Sequence, residues 1–377
     1  MSSRPPLMLI ILLLSFPQIV ETIYSPALPL IANRYQVGPE DAGQTLSLWF
    51  IGFALGVVVW GRLCDLWGRR PALLAGLTLY ALGAGWALIA PDFIHLLGAR
   101  LLSAFGAAVG SIVTQTALRD SYSGESLGRV FSLLGMALAI SPAVGMLAGE
   151  EIAVTTGHEG VFAALGLLAA ALLTASCILW PETLPASIAV VPFRSTLRRM
   201  LLDGAIWRCA MLVSVFNLAI FGYYQLGPFL FAGLEGSWID FGRSGIVLAA
   251  ASVIAAVANS RLLRRGWSVE KLTRFGILLL AAGAMLVMLF ARGPAILLGM
   301  AVIAGAYAIA IPNILSQALK AYADRLGTAG AILSLFYYNL LGAGLLLAGV
   351  VQRLDLVLIA CATTAALAFF YPRSRPN

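Results

Sequence analysis

Charge is scarce in this sequence. Only 11% of its 377 residues are Asp, Glu, Lys or Arg, where a soluble domain carries about 25%. The shortage runs the whole length of the chain, which excludes an ordinary water-soluble globular fold. Lysine is nearly missing: Lys271 and Lys320 are preceded by Glu270 and Leu319, so there is no Gly-Lys-Ser/Thr phosphate loop to support ATP hydrolysis. Histidine is as rare, and His95 and His158 fall far apart at the ends of apolar stretches, more suited to an interface than to a ligand set. The four cysteines, Cys64, Cys177, Cys209 and Cys361, lack any short C-x-x-C spacing and read as reduced small hydrophobes rather than a zinc knuckle or disulfide framework. No catalytic constellation, metal site or cofactor motif remains, so the chain is not expected to be an enzyme.

What the sequence does have is apolar length. Hydrophobic residues make up 60% of it and the mean hydropathy is +0.93. A bilayer core about 30 Å thick takes roughly 20 apolar residues per helix. Apolar stretches separated by short polar knots predict spans at 7–31, 43–60, 72–90, 93–118, 128–152 and 160–180, then 205–231, 241–262, 272–290, 295–318, 327–351 and 354–371. The chain is therefore read as an all-α membrane protein of twelve transmembrane helices. The longest polar interruption, with Pro181, Pro185, Pro192, Arg194, Arg198 and Arg199, divides it into a six-helix bundle at 1–180, a linker at 181–204 and a second bundle at 205–377. Apolar character continues from Leu7 past Pro17 to Leu30 without a small-x-small cleavage site, so this segment is taken as an uncleaved first span.

Placing the N-terminus inside puts most Lys and Arg on the cytoplasmic side and leaves only Arg34, Arg243, Arg292 and Arg353 outside. Both termini are then cytoplasmic. The formal charge of +7 faces the anionic inner leaflet and gives no support to nucleic-acid binding.

The loop after the second span reads Gly61-Arg62-Leu63-Cys64-Asp65-Leu66-Trp67-Gly68-Arg69-Arg70-Pro71. Gly61 and Gly68 allow helix ends to approach, Asp65 can accept from a helix N-terminus or an arginine, and Arg69 with Arg70 can anchor the loop at the leaflet. This G-x-x-x-D-x-x-G-R-R pattern resembles the signature of the major facilitator superfamily, with Leu66 where a basic residue is usual. Tyr24 to Pro29, Pro181 to Leu184, Asn259 to Gly266 and Gly327 to Ala331 narrow the resemblance to twelve-span drug:H+ antiporters like the bicyclomycin and chloramphenicol resistance exporters. In the fifth span Gly135, Ser141, Pro142, Gly145 and Gly149 resemble the antiporter motif of exporters, although tight helix packing would use the same residues.

Two charges fall deep within spans. Glu21 lies about 21 Å from the inner end of the first and Arg100 about 10 Å from the outer end of the fourth, depths that coincide in a bilayer core. A carboxyl group beside an arginine there is a candidate proton carrier with the arginine as its tuner, or else half of a permanent salt bridge. Arg100, followed by Gly106 and Gly110, also resembles a span-four motif of proton-driven members. The resembling exporters commonly carry an aspartate where this chain has Thr22. Candidate cavity residues are Tyr24, Trp49, Phe53 and Gln115 in the first half, and Phe216, Asn217, Tyr223, Gln225, Asn313, Tyr337 and Asn339 in the second.

The resemblance implies a proton-gradient-driven exporter of small amphipathic compounds in a bacterial inner membrane, working by alternating access of its two halves and needing no second copy. Two alternatives stay open: a dedicated exporter of one metabolite such as a siderophore or metallophore, and a non-transporting membrane sensor or scaffold.

Overall fold

The computed structural model describes residues 4–122, 124–185, 193–233, 240–290 and 293–370. Among these, all regular structure is helical, as a lipid-embedded chain requires when each segment must satisfy its own backbone groups. Helix α1 (Leu7–Tyr24) passes through a 3-10 turn at Ser25–Ala27 into α2 (Leu28–Tyr35), forming one continuous apolar crossing. Pro26, which has no N–H to donate, sits in that tightened turn. Then follow α3 (Pro39–Trp67), α4 (Arg69–Leu88), α5 (Phe93–Ser121) and the long α6 (Gly124–Leu179).

At 56 residues α6 would extend roughly 84 Å if straight, far beyond a bilayer. It is two crossings joined at Gly157, whose φ of 73° and ψ of −170° lie outside helical space. Glycine enters that region without penalty. The expected spans at 128–152 and 160–180 are thus found within one element whose turn is a single residue.

The segment read as the linker, 181–204, holds a short helix, α7 (Phe193–Leu201). After it come α8 (Gly204–Ala232), α9 (Phe241–Arg264), α10 (Val269–Leu289), α11 (Ile296–Ala318), α12 (Leu326–Val351) and α13 (Leu354–Phe370). Among the described residues, ten segments are long and apolar enough to cross a bilayer by themselves. Counting both arms of α6, and α13 as a shorter apolar helix, the fold has the twelve crossings read from the sequence.

Several of the scarce polar residues cap helix starts. Asp92, Asp203, Asp240 and Ser268 accept from the backbone N–H groups of His95, Ala205, Arg243 and Lys271, capping α5, α8, α9 and α10. Exposed Leu82, Ile94, Val154, Leu167, Ile254 and Leu347 face outward, as lipid contact demands.

The chain forms two compact units, Met1–Gln36 with Leu48–Val191, and Val37–Ser47 with Pro192–Asn377. Within the first, α4 packs on α5 and α6, and α1 on α5 and α6. Within the second, α11 packs on α8, α9 and α10, while α13 packs on α8 and α10. The opening turns of α3 belong to the second unit, where a Cβ on Gly43 would lie 2.5 Å from Gln225 Nε2.

One close approach of α6 to the backbone of α1 sets a test. A Cβ on Gly149 of α6 would collide with the Ile23 carbonyl oxygen of α1, whereas a Cβ on Gly85 of α4 meets nothing within 4 Å. Gly149→Val is expected to cost at least about 1–3 kcal/mol through overpacking and lower the thermal unfolding temperature in detergent, with Gly85→Ala close to wild type.

Candidate functional site

The motif after the second span builds a charge cluster at one end of the first unit. Arg69, at the start of α4, is 3% exposed. Its Nη1 donates to Asp65 Oδ1 at 2.8 Å and to the Cys64 carbonyl at 2.7 Å, and its Nε donates to Asp120 Oδ2 at 2.8 Å. Two carboxylates from α3 and α5 thereby enclose a guanidinium from α4. Arg69 is therefore buried, with both carboxylates compensating its charge, rather than open at the surface. Arg70 stays exposed and donates from Nη2 to the Cys177 carbonyl at 2.6 Å.

Asp65 accepts from Arg69, but the helix N-terminus goes to another carboxylate. Glu182, just past α6, takes the backbone N–H groups of Arg69 and Thr183 at 2.9 Å and of Arg70 at 3.2 Å. Partial burial opposes its charge, yet these donors and Leu184 N–H prevail and hold the carboxyl below the usual carboxylate range. Gly68 is required here: its φ is 107°, and a Cβ would collide with the Glu182 carboxylate. Gly61 is different, since a Cβ there would meet only Ile112 at 3.6 Å. It does not serve the close approach expected of it. Asp120 was not foreseen. Its only signal is an acidic residue at the end of the fourth span, and Leu66, where a basic residue is usual, is 60% exposed.

Deeper in the same unit, Glu21 and Arg100 are 3% and 1% exposed. They lie within each other's electrostatic influence, but no ion pair joins them: Glu21 Oε1 and Arg100 Nε and Nη2 lack hydrogen-bond partners. The guanidinium is instead held between rings, with Cζ 3.8 Å from the Tyr24 centroid and 4.4 Å from that of Trp49. Tyr80 meets Trp49 and Phe16 edge-on at 6.3 and 4.7 Å, completing an aromatic surround. Desolvated cation–π contacts of this kind contribute about 2 kcal/mol or more. Tyr24 and Trp49, expected as cavity residues, are therefore the seat of Arg100.

Span five supplies the support for α1. Gly145 leaves no room for a Cβ beside Thr22 Oγ1, and Gly149 lies against Ile23, so these residues bring α6 onto the turn of α1 that carries Glu21. Ser141 bonds back to the Ala137 carbonyl at 2.7 Å next to Pro142 within the helix. Gly135 is in α6, with its surroundings outside the described residues.

Of the other candidates, Phe53 and Phe216 are buried, and Gln115 donates to Ser111 at 3.3 Å. In the second unit Tyr223 bonds Ser244 at 2.6 Å, Asn313 donates to Asn259 at 2.8 Å, and Asn217 accepts from Tyr307 at 3.3 Å. Gln225 is fully buried and donates to the Leu345 carbonyl at 3.1 Å. The Tyr337 ring lies 4.2 Å from that of Tyr338 at a tilt of 44°, and Asn339 is exposed, bonded to its own helix at Leu335.

A family model described as Major Facilitator Superfamily matches residues 10–347. The chain belongs to that superfamily. It is 29% identical to an uncharacterized transporter of Rickettsia bellii, over 98% of this chain and 96% of the relative. It is also 29% identical to a chloramphenicol resistance protein of Pseudomonas aeruginosa, over 70% of this chain and 63% of that one. Among solved structures, a D-xylose-proton symporter shares the superfamily fold with a TM-score of 0.76 at 16% identity, each chain covered to 98%. As a superfamily member, the chain is a transporter embedded in a membrane by multiple crossings.

Two outcomes test the charge cluster. Arg69→Gln removes the buried guanidinium and its bonds while Asp65 and Asp120 keep access to water, and is expected to cost about 1–3 kcal/mol, read by thermal unfolding in detergent. Glu182 has a lowered carboxyl pKa, so its stabilisation is complete above the ordinary carboxylate range and fades as pH falls through the folded value. Acidification from about pH 5 to 3 should therefore cost the wild type more thermal stability than Glu182→Gln, whose curve starts lower and is flatter.

Proposed function

We propose that the chain exports small amphipathic compounds across a bacterial inner membrane in exchange for protons, with both termini in the cytoplasm and one copy sufficient. The observation that carries this reading is a buried carboxyl group, Glu21, left without an ion-pair partner beside a buried Arg100 whose charge rests on Tyr24 and Trp49. A carboxylate locked to an arginine would stay ionised through a transport cycle. One that is only near an arginine can take a proton when water reaches it from one side and lose it when the surroundings change.

The rest of the first unit fits that role. Gly145 and Gly149 hold α6 against the Glu21 turn, so a displacement of α6 moves the carboxyl group. The Asp65–Arg69–Asp120 cluster joins α3, α4 and α5, and can hold that end of the unit in one arrangement. In the second unit the deep polar groups named above are uncharged amides and hydroxyls. They suit a neutral or weakly polar compound, with any positive charge answered by Glu21. The chloramphenicol resistance protein among the relatives supports export of drug-like molecules.

The test is a pH-gradient assay in inverted vesicles, with a panel of amphipathic drugs added to wild type, Glu21→Gln and Arg100→Lys. Wild type should collapse the gradient on substrate addition, and Glu21→Gln should fall to the level of empty vesicles. Arg100→Lys should be impaired, because an ammonium cannot lie flat between two rings as a guanidinium does. Full collapse by verified, inserted Glu21→Gln would remove Glu21 as the proton carrier.

A further inference from the structure

We propose that α7 and the groove beside Trp207 bind an anionic phospholipid of the inner leaflet, its phosphate on Arg194 and Arg198 and an acyl chain along the groove. The proposal takes the orientation expected from the charge distribution, which puts this end of the second unit at the cytoplasmic surface.

Helix α7 has two unlike sides. Thr196 and Met200 are buried. Arg325 donates to Thr196 Oγ1 at 3.5 Å, and Arg199 donates to the Ala321 carbonyl at 3.5 Å while lying 4.8 Å over the Tyr322 ring. These contacts fix the helix to the segment before α12. On the other side Arg194, Arg198 and Leu201 are exposed at i, i+4 and i+7, followed by Leu202 at 81% exposure. Two leucines left open beside two arginines are costly in water. At the boundary between headgroups and acyl chains the leucines enter hydrocarbon and the arginines meet phosphate.

Among the described residues, no acidic side chain pairs with Arg194 or Arg198. No Asp or Glu occurs from Phe193 to Leu202. Asp203 is committed elsewhere, one oxygen accepting the Ala205 N–H at 2.9 Å and the other the Tyr322 hydroxyl at 2.9 Å. The arginine pair thus presents its charge outward.

The groove begins where α7 ends. Trp207 Nε1 donates to the Leu201 carbonyl at 2.9 Å, and the indole stacks on Phe336 at 4.7 Å with an interplanar angle of 4°. With Leu335, Asn339 and Leu340 these rings line an open depression of about 290 Å³. Its walls are almost wholly apolar, suited to hydrocarbon rather than to a polar solute. Arg198 precedes Leu201 by three residues, about 4.5 Å of helix rise, so headgroup and chain subsites adjoin.

The experiment uses the full chain purified in detergent, stripped of lipid, and titrated with dioleoylphosphatidylglycerol or dioleoylphosphatidylcholine, bound lipid being counted by native mass spectrometry. Wild type should prefer the anionic lipid. The double variant Arg194→Gln/Arg198→Gln should lose about tenfold or more of that preference, with phosphatidylcholine binding and thermal unfolding unchanged, and Arg194→Lys/Arg198→Lys should largely retain it. Leu340→Trp, which fills the groove, should weaken retention of both lipids. Undiminished preference in the glutamine variant would overturn the headgroup site, and undiminished retention in Leu340→Trp would overturn the chain site. Displacement of the lipid by equimolar glycerol 3-phosphate would show a site for soluble phosphate instead and overturn the lipid assignment.

Discussion

Moving a guanidinium out of water into a helix bundle costs several kcal/mol, and the first unit does so twice. Arg69 is answered by two carboxylates and a carbonyl, with three bonds of 2.7–2.8 Å. Arg100 is answered by the faces of Tyr24 and Trp49, and keeps two nitrogens unbonded. The two solutions have different mechanical characters. Directional bonds from α4 to two other helices make a fixed joint that breaks as a unit, whereas a cation between rings lies in a smoother well and leaves its hydrogen-bonding capacity available. Structural order therefore gathers around Arg69, and chemical responsiveness around Arg100.

The second unit contrasts with this arrangement. Several of its buried polar groups are neutral and meet across helices: Asn313 with Asn259 joins α11 to α9, Tyr307 with Asn217 joins α11 to α8, and Tyr223 with Ser244 joins α8 to α9. Such bonds align helices at little desolvation cost compared with ions. Among the described residues, the first unit buries Glu21, Arg69 and Arg100, whereas the second buries Asp355, paired with Arg353 at the start of α13.

Much of this was legible in the residues, for identifiable reasons. The crossings follow from apolar run length because a bilayer fixes how long a span must be. The shared depth of Glu21 and Arg100 follows from helix rise alone. What escaped depended on pairings distant in sequence. Asp120 meets Arg69 across 51 positions and Glu182 meets it across 113, and no local pattern encodes either. Gly61 and Gly68 look alike in the motif, yet only Gly68 has a backbone angle and a neighbour that demand glycine. The Arg100 seat was half visible: Tyr24 and Trp49 were recognised as inward-facing aromatics, but not as the partners that stand in for a counter-ion.

The position of Glu182 also bears on how the chain is made. The residue that caps α4 lies beyond the end of α6, so the third crossing waits, with its first N–H groups unsatisfied, while three more are synthesised. The end of the first unit is closed by residues that leave the ribosome only as the link to the second begins. A nascent chain stopped at α6 would hold every helix of that unit but lack the carboxylate that ties the start of α4 to the end of α6.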